Sequence, residues 1–257
     1  MKTLAKTFLY FIVLIAITSC TQDFPETSPK DNLQTIETGT LNFIYKGTSY
    51  TSEYSRLSDS TVIFKNNQVS ELSKLLATKS NLISYIHSDG SLEYIETEKE
   101  AEIKVSEQIA KVTQKTISTK GVIETKGVGP FLTFCEADCR LYRHSNYGGW
   151  YIQSVLNHCS GPMNIVENKI VGSRDNKVSS IKVFTRRDPN ANVDFKQFSG
   201  TLRLYQYADL KGKSLVLPFM NVYNEINIPS LKKYPLYPGS KDNWNDTVSS
   251  FSIGYID

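Results

Sequence analysis

Asp175-Asn176-Lys177-Val178-Ser179-Ser180 and Asn245-Asp246-Thr247-Val248-Ser249-Ser250 share one pattern: two Asn or Asp residues, two variable residues, then Ser-Ser. Each runs into an alternating apolar stretch, Ile181-Lys182-Val183-Phe184 and Phe251-Ser252-Ile253, the period-two signature of a half-buried strand. Carboxylate, amide and hydroxyl oxygens at a strand entrance are hard donors of the kind Ca²⁺ takes. The same residue types also form Asx and Ser turns that cap backbone. A turn-only reading therefore stands beside the metal reading.

Upstream of each hexad lies a second shared feature. Tyr142-Arg143-His144-Ser145-Asn146-Tyr147-Gly148-Gly149 places two aromatics five apart before a Gly-Gly turn, and Tyr205-Gln206-Tyr207-Ala208-Asp209-Leu210-Lys211-Gly212 occupies the matching place in the second copy. Together these features resemble the βγ-crystallin family, whose Greek-key motif reads aromatic, four residues, aromatic, any residue, Gly, and later the Asn/Asp-Asn/Asp-x-x-Ser/Thr-Ser hexad. The first copy fits through Tyr142, Tyr147, Gly149 and Asp175 to Ser180; the second departs at Leu210, which replaces an aromatic. The spans from Gly149 to Asp175 and from Gly212 to Asn245 are long for the family, so inserted loops are expected there.

The resemblance covers residues 131–257. It implies an all-β Greek-key sandwich, with strands over Arg140–His144, Trp150–Val155, Asn164–Ile170 and Ser179–Thr185, then Thr201–Tyr207, Ser214–Pro218, Tyr223–Ile228 and Ser249–Tyr255. It also implies two Ca²⁺ ions shared between the hexads. Each ion would take the carbonyl of Lys177 or Thr247 and the hydroxyl of Ser179 or Ser249 from one loop, and the side chain of Asp246 or Asn176 from the other. A hairpin carbonyl just after Gly149 or Gly212, with water, would complete each shell. Ser180 and Ser250 would bond backbone across the folded hairpin. With one Asp and one Asn at the second position, affinity should be modest, on the order of 10⁻⁴–10⁻³ M.

The N-terminus carries a different message. Lys2 and Lys6 precede the apolar run Phe8–Ile17, which ends in Thr18-Ser19-Cys20. That is a secretory signal, and its ending resembles a bacterial lipobox, with Cys20 becoming the first, lipid-bearing residue. The run is short for a membrane span. The expected protein is thus anchored by lipid in the cell envelope, at the outer membrane or cell surface of a bacterium. Export favours disulfides, and Cys159 is expected to pair with Cys135 or Cys139. A zinc site using these thiols with His144 or His158 is the alternative.

Between anchor and hexads, residues 20–40 are polar and read as a disordered tether. Residues 41–96 read as a small α+β domain: strands at Leu41–Tyr45 and Thr61–Phe64, and a helix over Gln68–Thr78 capped by Asn66 or Asn67, with Val69, Leu72, Leu75 and Leu76 on one face. A hairpin turns at Asp89-Gly90, with His87 solvated at its end. Residues 97–130 read as a helix with the thin stripe Ile103, Ile109 and Val112, followed by a linker.

Net charge is +3 for the whole chain, and loss of the two signal lysines leaves the remainder nearly neutral. No basic stripe argues for nucleic acid. Neither a Ser-His-Asp spacing nor a phosphate loop nor a CxxC motif is present. The sequence therefore points to a non-catalytic, calcium-binding, membrane-anchored module with a structural or adhesion role. An exported proteinase inhibitor of crystallin-type fold is one alternative. A carbohydrate or host-surface binder using Tyr147, Trp150, Tyr234, Tyr237 or Trp244 is another.

Overall fold

A computed structural model describes residues 34–119, 135–158, 166–169, 174–187, 199–220 and 226–256. The expected signal sequence, Cys20, most of the tether and the linker after residue 119 lie outside the described residues. Among those described, strands predominate and two α-helices occur.

The chain enters a long hairpin, β1 (Thr35–Tyr45) and β2 (Thr48–Leu57), turning through Lys46 and Gly47 at positive φ. β1 reaches back into the stretch expected to be tether, because Thr35–Thr40 pair with the far end of β2. A short β3 (Val62–Phe64) leads into α1 (Asn67–Ala77), whose first turn is capped by the Asn66 side chain accepting from the Gln68 and Val69 amides. α1 buries Val69, Ser73 and Leu76, whereas Leu75, expected on that face, is 46% exposed.

β4 (Ile83–Ile86) and β5 (Leu92–Ile95) form the Asp89-Gly90 hairpin. His87 is not simply solvated: its Nε2 lies 2.9 Å from the carboxylate of Glu93, which is 1% exposed and also lies 3.3 Å from Lys104 Nζ. α2 (Glu98–Thr119) starts at Thr97, whose hydroxyl accepts from the Glu100 amide. Its buried contacts are Ala101 and Val105, packed with Ile83, Tyr85, Ile95 and Val216; Ile103 of the expected stripe is 49% exposed.

The C-terminal half supplies β6 (Cys135–His144), β7 (Gly148–His158), β8 (Val166–Lys169), β9 (Ser180–Arg187), β10 (Ser199–Tyr207), β11 (Lys211–Met220), β12 (Ile226–Ile228) and β13 (Ser250–Ile256). Two sheets result. One runs β12-β9-β6-β7; the other runs β3-β2-β1-β5-β4-β11-β10-β13-β8. Each therefore borrows one strand from the opposite sequence repeat: β12 of the second copy pairs with β9 of the first, and β8 of the first pairs with β13 of the second. The inner faces meet in a core that includes Leu141, Ile181, Val183, Leu202, Leu204, Phe251 and Ile253.

Residues 41–96, expected as a separate small domain, share the larger sheet. β4 pairs in parallel with β11, so the strands of both halves form one hydrogen-bonded surface. Gln34 to Asp257 forms a single compact unit. The inserted loop of the second copy helps to join the halves. Ser73 Oγ donates to the Pro238 carbonyl (2.5 Å), Tyr94 Oη donates to that of Pro235 (3.2 Å), and Gly239 sits against the Phe64 ring.

Cys139 is a free thiol, fully buried on the core side of β6, and burial pushes its pKa far up. Cys159 itself lies outside the described residues.

Candidate functional site

Both hexads sit at the entrances of equivalent strands, β9 and β13, and approach each other face to face. The Asn176 amide donates to the Val248 carbonyl (3.2 Å), and the Asp246 amide donates to that of Val178 (2.9 Å). Val178 and Val248 are fully buried and hold the loop bases in the core. Asn176 and Asp246 adopt φ of 51° and 55°, the left-handed region that Asn and Asp tolerate better than most residues. The turn presents their side chains toward the opposite loop.

There the side chains cross. Ser179 Oγ donates to Asp246 Oδ1 at 3.0 Å, and Ser249 Oγ donates to Asn176 Oδ1 at 3.0 Å. These four of the six expected metal residues are thus brought together in two reciprocal pairs. Of the other two, Lys177 is exposed and lines a cleft with Ser179 and Asp246. The Thr247 hydroxyl is turned back into its own loop, toward the carbonyls of Asn243 (2.6 Å) and Asn245 (3.2 Å).

The hairpins fold over these loops in the same way in both copies. Ser180 Oγ donates to the His144 carbonyl (2.6 Å) and accepts from the Tyr147 amide (3.1 Å). Ser250 Oγ donates to the Tyr207 carbonyl (2.6 Å) and accepts from the Leu210 amide (3.1 Å). Asn146 and Tyr147 have φ of 57° and 63°, matched by 59° and 58° at Asp209 and Leu210. The final Gly of each hairpin is required twice over. Gly149 and Gly212 have φ of 77° and 84°, and an added Cβ would lie 2.8 Å from the His144 ring or 2.6 Å from that of Tyr207. Leu210 keeps the backbone of the missing aromatic; in the first copy Tyr142 and Tyr147 instead meet edge to face, 5.7 Å apart.

No protein-family model, curated protein or solved structure matches this chain.

The donor set fits a hard cation. Asp175 Oδ1 and Asn245 Oδ1, the first-position acceptors of the two hexads, are buried without a hydrogen-bond donor. Such acceptors call for a proton donor, a water or a cation. Oxygens 3.0 Å apart, as in each Ser–Asx pair, can share one Ca²⁺ at about 2.3–2.6 Å from each. Among the described residues no three His, Cys, Asp or Glu come together; hydroxyl, amide and carbonyl oxygens make up most of the donors here. Cys159 and the side chains of Cys135 and His158, which the zinc alternative also uses, lie outside the described residues.

Arg143, His144 and Ser145 of the first hairpin line the cleft beside the first pair. The crossover of Ser180 onto His144 draws this part of the hairpin onto the hexad.

The aromatic side chains proposed from sequence do not form one surface. Trp244 is fully buried in the core, and Tyr234 and Tyr237 pack partly buried against it. Tyr147 is covered by the Lys182 ammonium and Trp150 by the Arg174 guanidinium, at 4.3 and 5.2 Å from the ring centroids.

Proposed function

We propose that residues 131–257 form a two-motif Greek-key domain of the βγ-crystallin type that binds two Ca²⁺ ions, within a lipid-anchored, non-catalytic protein of the bacterial envelope. The observation that carries this reading is the reciprocal crossing of Ser179 onto Asp246 and Ser249 onto Asn176. A turn needs to satisfy only its own backbone. Side chains reaching from each loop to the fifth position of the other make two equivalent clusters of oxygens. The exchange of one strand between the sheets, β12 for β8, supports the same reading, because it sets the two hexads side by side.

Ser179, Asp246 and the Lys177 carbonyl would hold one ion; Ser249, Asn176 and the Thr247 carbonyl would hold the other. Bound Ca²⁺ would replace the two Ser–Asx hydrogen bonds with shared coordination and stiffen the junction of the sheets. The stabilisation follows RT ln(1 + [L]/Kd), about 1–3 kcal/mol when calcium exceeds Kd ten- to hundredfold. Calcium would thus act as a mechanical brace for a module held at the cell surface through Cys20.

The turn-only reading keeps one observation in its favour: the two Ser–Asx hydrogen bonds already satisfy the hydroxyls without an ion. Calorimetric calcium titration of the chain from Thr21 onward separates the two. Two binding events that are lost in Ser179→Arg with Ser249→Arg support the calcium reading. No heat, together with a melting temperature indifferent to millimolar calcium, would leave only turns.

A further inference from the structure

β6 and β9 turn Ala137, Cys139, Leu141, Ile181 and Val183 into the core. Alternation therefore puts Asp138, Arg140, Lys182 and Phe184 on the opposite face of the smaller sheet, where Arg140 stands across from Gln153 of β7 and Tyr142 from Tyr151. The Arg140 guanidinium lies over two rings there, 5.3 Å from the Tyr151 centroid and 5.0 Å from that of Phe184. Its Nη2 donates to Asp138 Oδ2 (2.7 Å), and Gln153 Nε2 donates to the same oxygen (2.9 Å). The Lys182 ammonium stands 4.3 Å from the Tyr147 centroid and 5.6 Å from that of Phe184.

This face shows solvent one sign of charge. Asp138 is fully buried and already hydrogen-bonded by Arg140 and Gln153. Lys182 rests on rings, and among the described residues no carboxylate pairs with it. A ring quadrupole attracts an ammonium without neutralising it. Tyr151 is 43% exposed and Gln153 is exposed as well, and the bond to Asp138 leaves the amide oxygen of Gln153 to accept from outside.

A ligand for this set needs weakly positive C–H groups to lie on the Tyr151 ring, whose face is negative. It also needs hydroxyls that donate to Gln153 and a carboxylate for Lys182. Sugars that carry a ring carboxylate have all three. A neutral glycan leaves the ammonium without a counter-charge, and an apolar partner would bury it unpaired. The face is an open sheet rather than an enclosed cavity, so it suits a chain laid across it.

We propose that the outer face of β9, β6 and β7 binds an acidic polysaccharide built from uronic acids, one sugar ring stacked on Tyr151 and its carboxylate paired with Lys182. Arg140 and Asp138 are positioning residues, tying the Tyr151 and Phe184 rings to one guanidinium. No hexad oxygen takes part, so binding needs no calcium.

The test is calorimetric titration of the chain from Thr21 onward, in chelator, with hexasaccharides of galacturonate, mannuronate and hyaluronan, each beside its carboxyl-reduced neutral counterpart. The expected result is binding of at least one acidic probe that weakens at least about fivefold on carboxyl reduction and weakens as salt rises. Tyr151→Ala should lower affinity at least about threefold and keep the salt dependence. Lys182→Gln should lower it by a similar factor and flatten the salt dependence. Tyr151→Phe keeps the ring and should restore binding, and melting temperatures near that of the parent show that the variants fold.

Failure of every acidic probe to bind, or equal binding of the reduced sugars, overturns the inference. Binding that Tyr151→Ala and Lys182→Gln both leave unchanged lies elsewhere on the molecule and overturns it too. Because chelator is present throughout, none of these outcomes touches the calcium reading.

Discussion

Ser179 Oγ lies 3.0 Å from Asp246 Oδ1, and Ser249 Oγ lies 3.0 Å from Asn176 Oδ1, so two sites of the same geometry differ by one formal charge. That difference makes affinity a matter of one side chain. Asn176→Asp gives the second site a carboxylate in the place that Asp246 fills in the first. Calcium affinity at that site should rise on the order of tenfold, since ligand charge count tunes such sites. Asp246→Asn should lower affinity at the other site by a similar factor. Calorimetry resolves both. A pair of variants that move the two sites in the same direction would contradict the assignment of one acceptor to each.

Ser180 and Ser250 do a different job from their neighbours Ser179 and Ser249. Each is fully buried and ties one carbonyl and one amide of a hairpin to the strand that follows the hexad. Removing the hydroxyl strands both groups, at roughly 1–3 kcal/mol per unsatisfied buried group. Ser180→Ala and Ser250→Ala should each lower stability by about 2 kcal/mol in urea unfolding, in the presence of chelator. Ser179→Ala should cost less in chelator and reveal its effect when calcium is added.

The hairpin glycines give a matched pair of tests. Gly149→Ala and Gly212→Ala both introduce a Cβ at positive φ and against a ring. Each should cost roughly 1–3 kcal/mol, combining backbone strain with displacement of the His144 or Tyr207 ring. Equilibrium unfolding would show it. Gly90→Ala, at φ 83° but with nothing near the added Cβ, isolates the backbone part and should cost less.

What the sequence alone reveals of this fold follows from the kind of interaction involved. The strands of the C-terminal half were legible because alternation and Asn/Asp/Gly turns are local. The hexads were legible because they recur. The parallel pairing of β4 with β11 was not, since it joins residues such as Ile83 and Ser214 with no turn between them to mark it. Ser73 bonding to Pro238 spans 165 residues and leaves no periodic trace. On α2 the larger Ile103 suggested the buried face, but a close approach to the sheet favours Ala101 and Val105. His87 looked solvated because Glu93, six residues on, gave no sign that β5 would bury it. Cys139 illustrates the same limit: the expectation of export suggests a bridge there, yet inward alternation along β6 makes it a core side chain.

The acid limb of stability should depend on Glu96. Its carboxyl is held down to about 2 by the Lys79 ammonium first and then by the Tyr45 hydroxyl; burial opposes them, and Lys46 adds a smaller lowering contribution. A carboxyl depressed in the folded state contributes stability above its unfolded pKa, and that contribution disappears as pH falls toward the folded value. The window is therefore from about 4.5 down to about 2. Glu93 acts in the same direction: burial pushes its pKa up, but His87 and Lys104 together bring it below the ordinary value. Glu96→Gln should lower stability at pH 7 and flatten its decline between pH 5 and 3, as read from urea midpoints. An unchanged acid slope would show that Glu96 is not a principal group in that decline.

The N-terminal half should unfold together with the two hexad loops. The second hexad follows a loop whose Pro235, Leu236, Pro238 and Gly239 are held by Tyr94, Ser73 and Phe64, and the buried core runs without a break from Phe64, Val69 and Leu76 to Leu236 and Trp244. Phe64→Ala removes a large side chain from the face against Gly239, a change that costs about 3–5 kcal/mol in a packed core. The loop on that side should loosen, and the crossed pairs Ser179–Asp246 and Ser249–Asn176 should carry the change to the first hexad. Phe64→Ala should therefore weaken calcium binding, lower the melting temperature, and shift the Trp244 emission and the far-ultraviolet signal in one transition. Ser73→Ala should do the same more mildly, by leaving the Pro238 carbonyl buried without its donor. Two separable transitions, with Trp244 and calcium affinity untouched by Phe64→Ala, would mean that residues 41–96 ride beside the C-terminal half without bracing it.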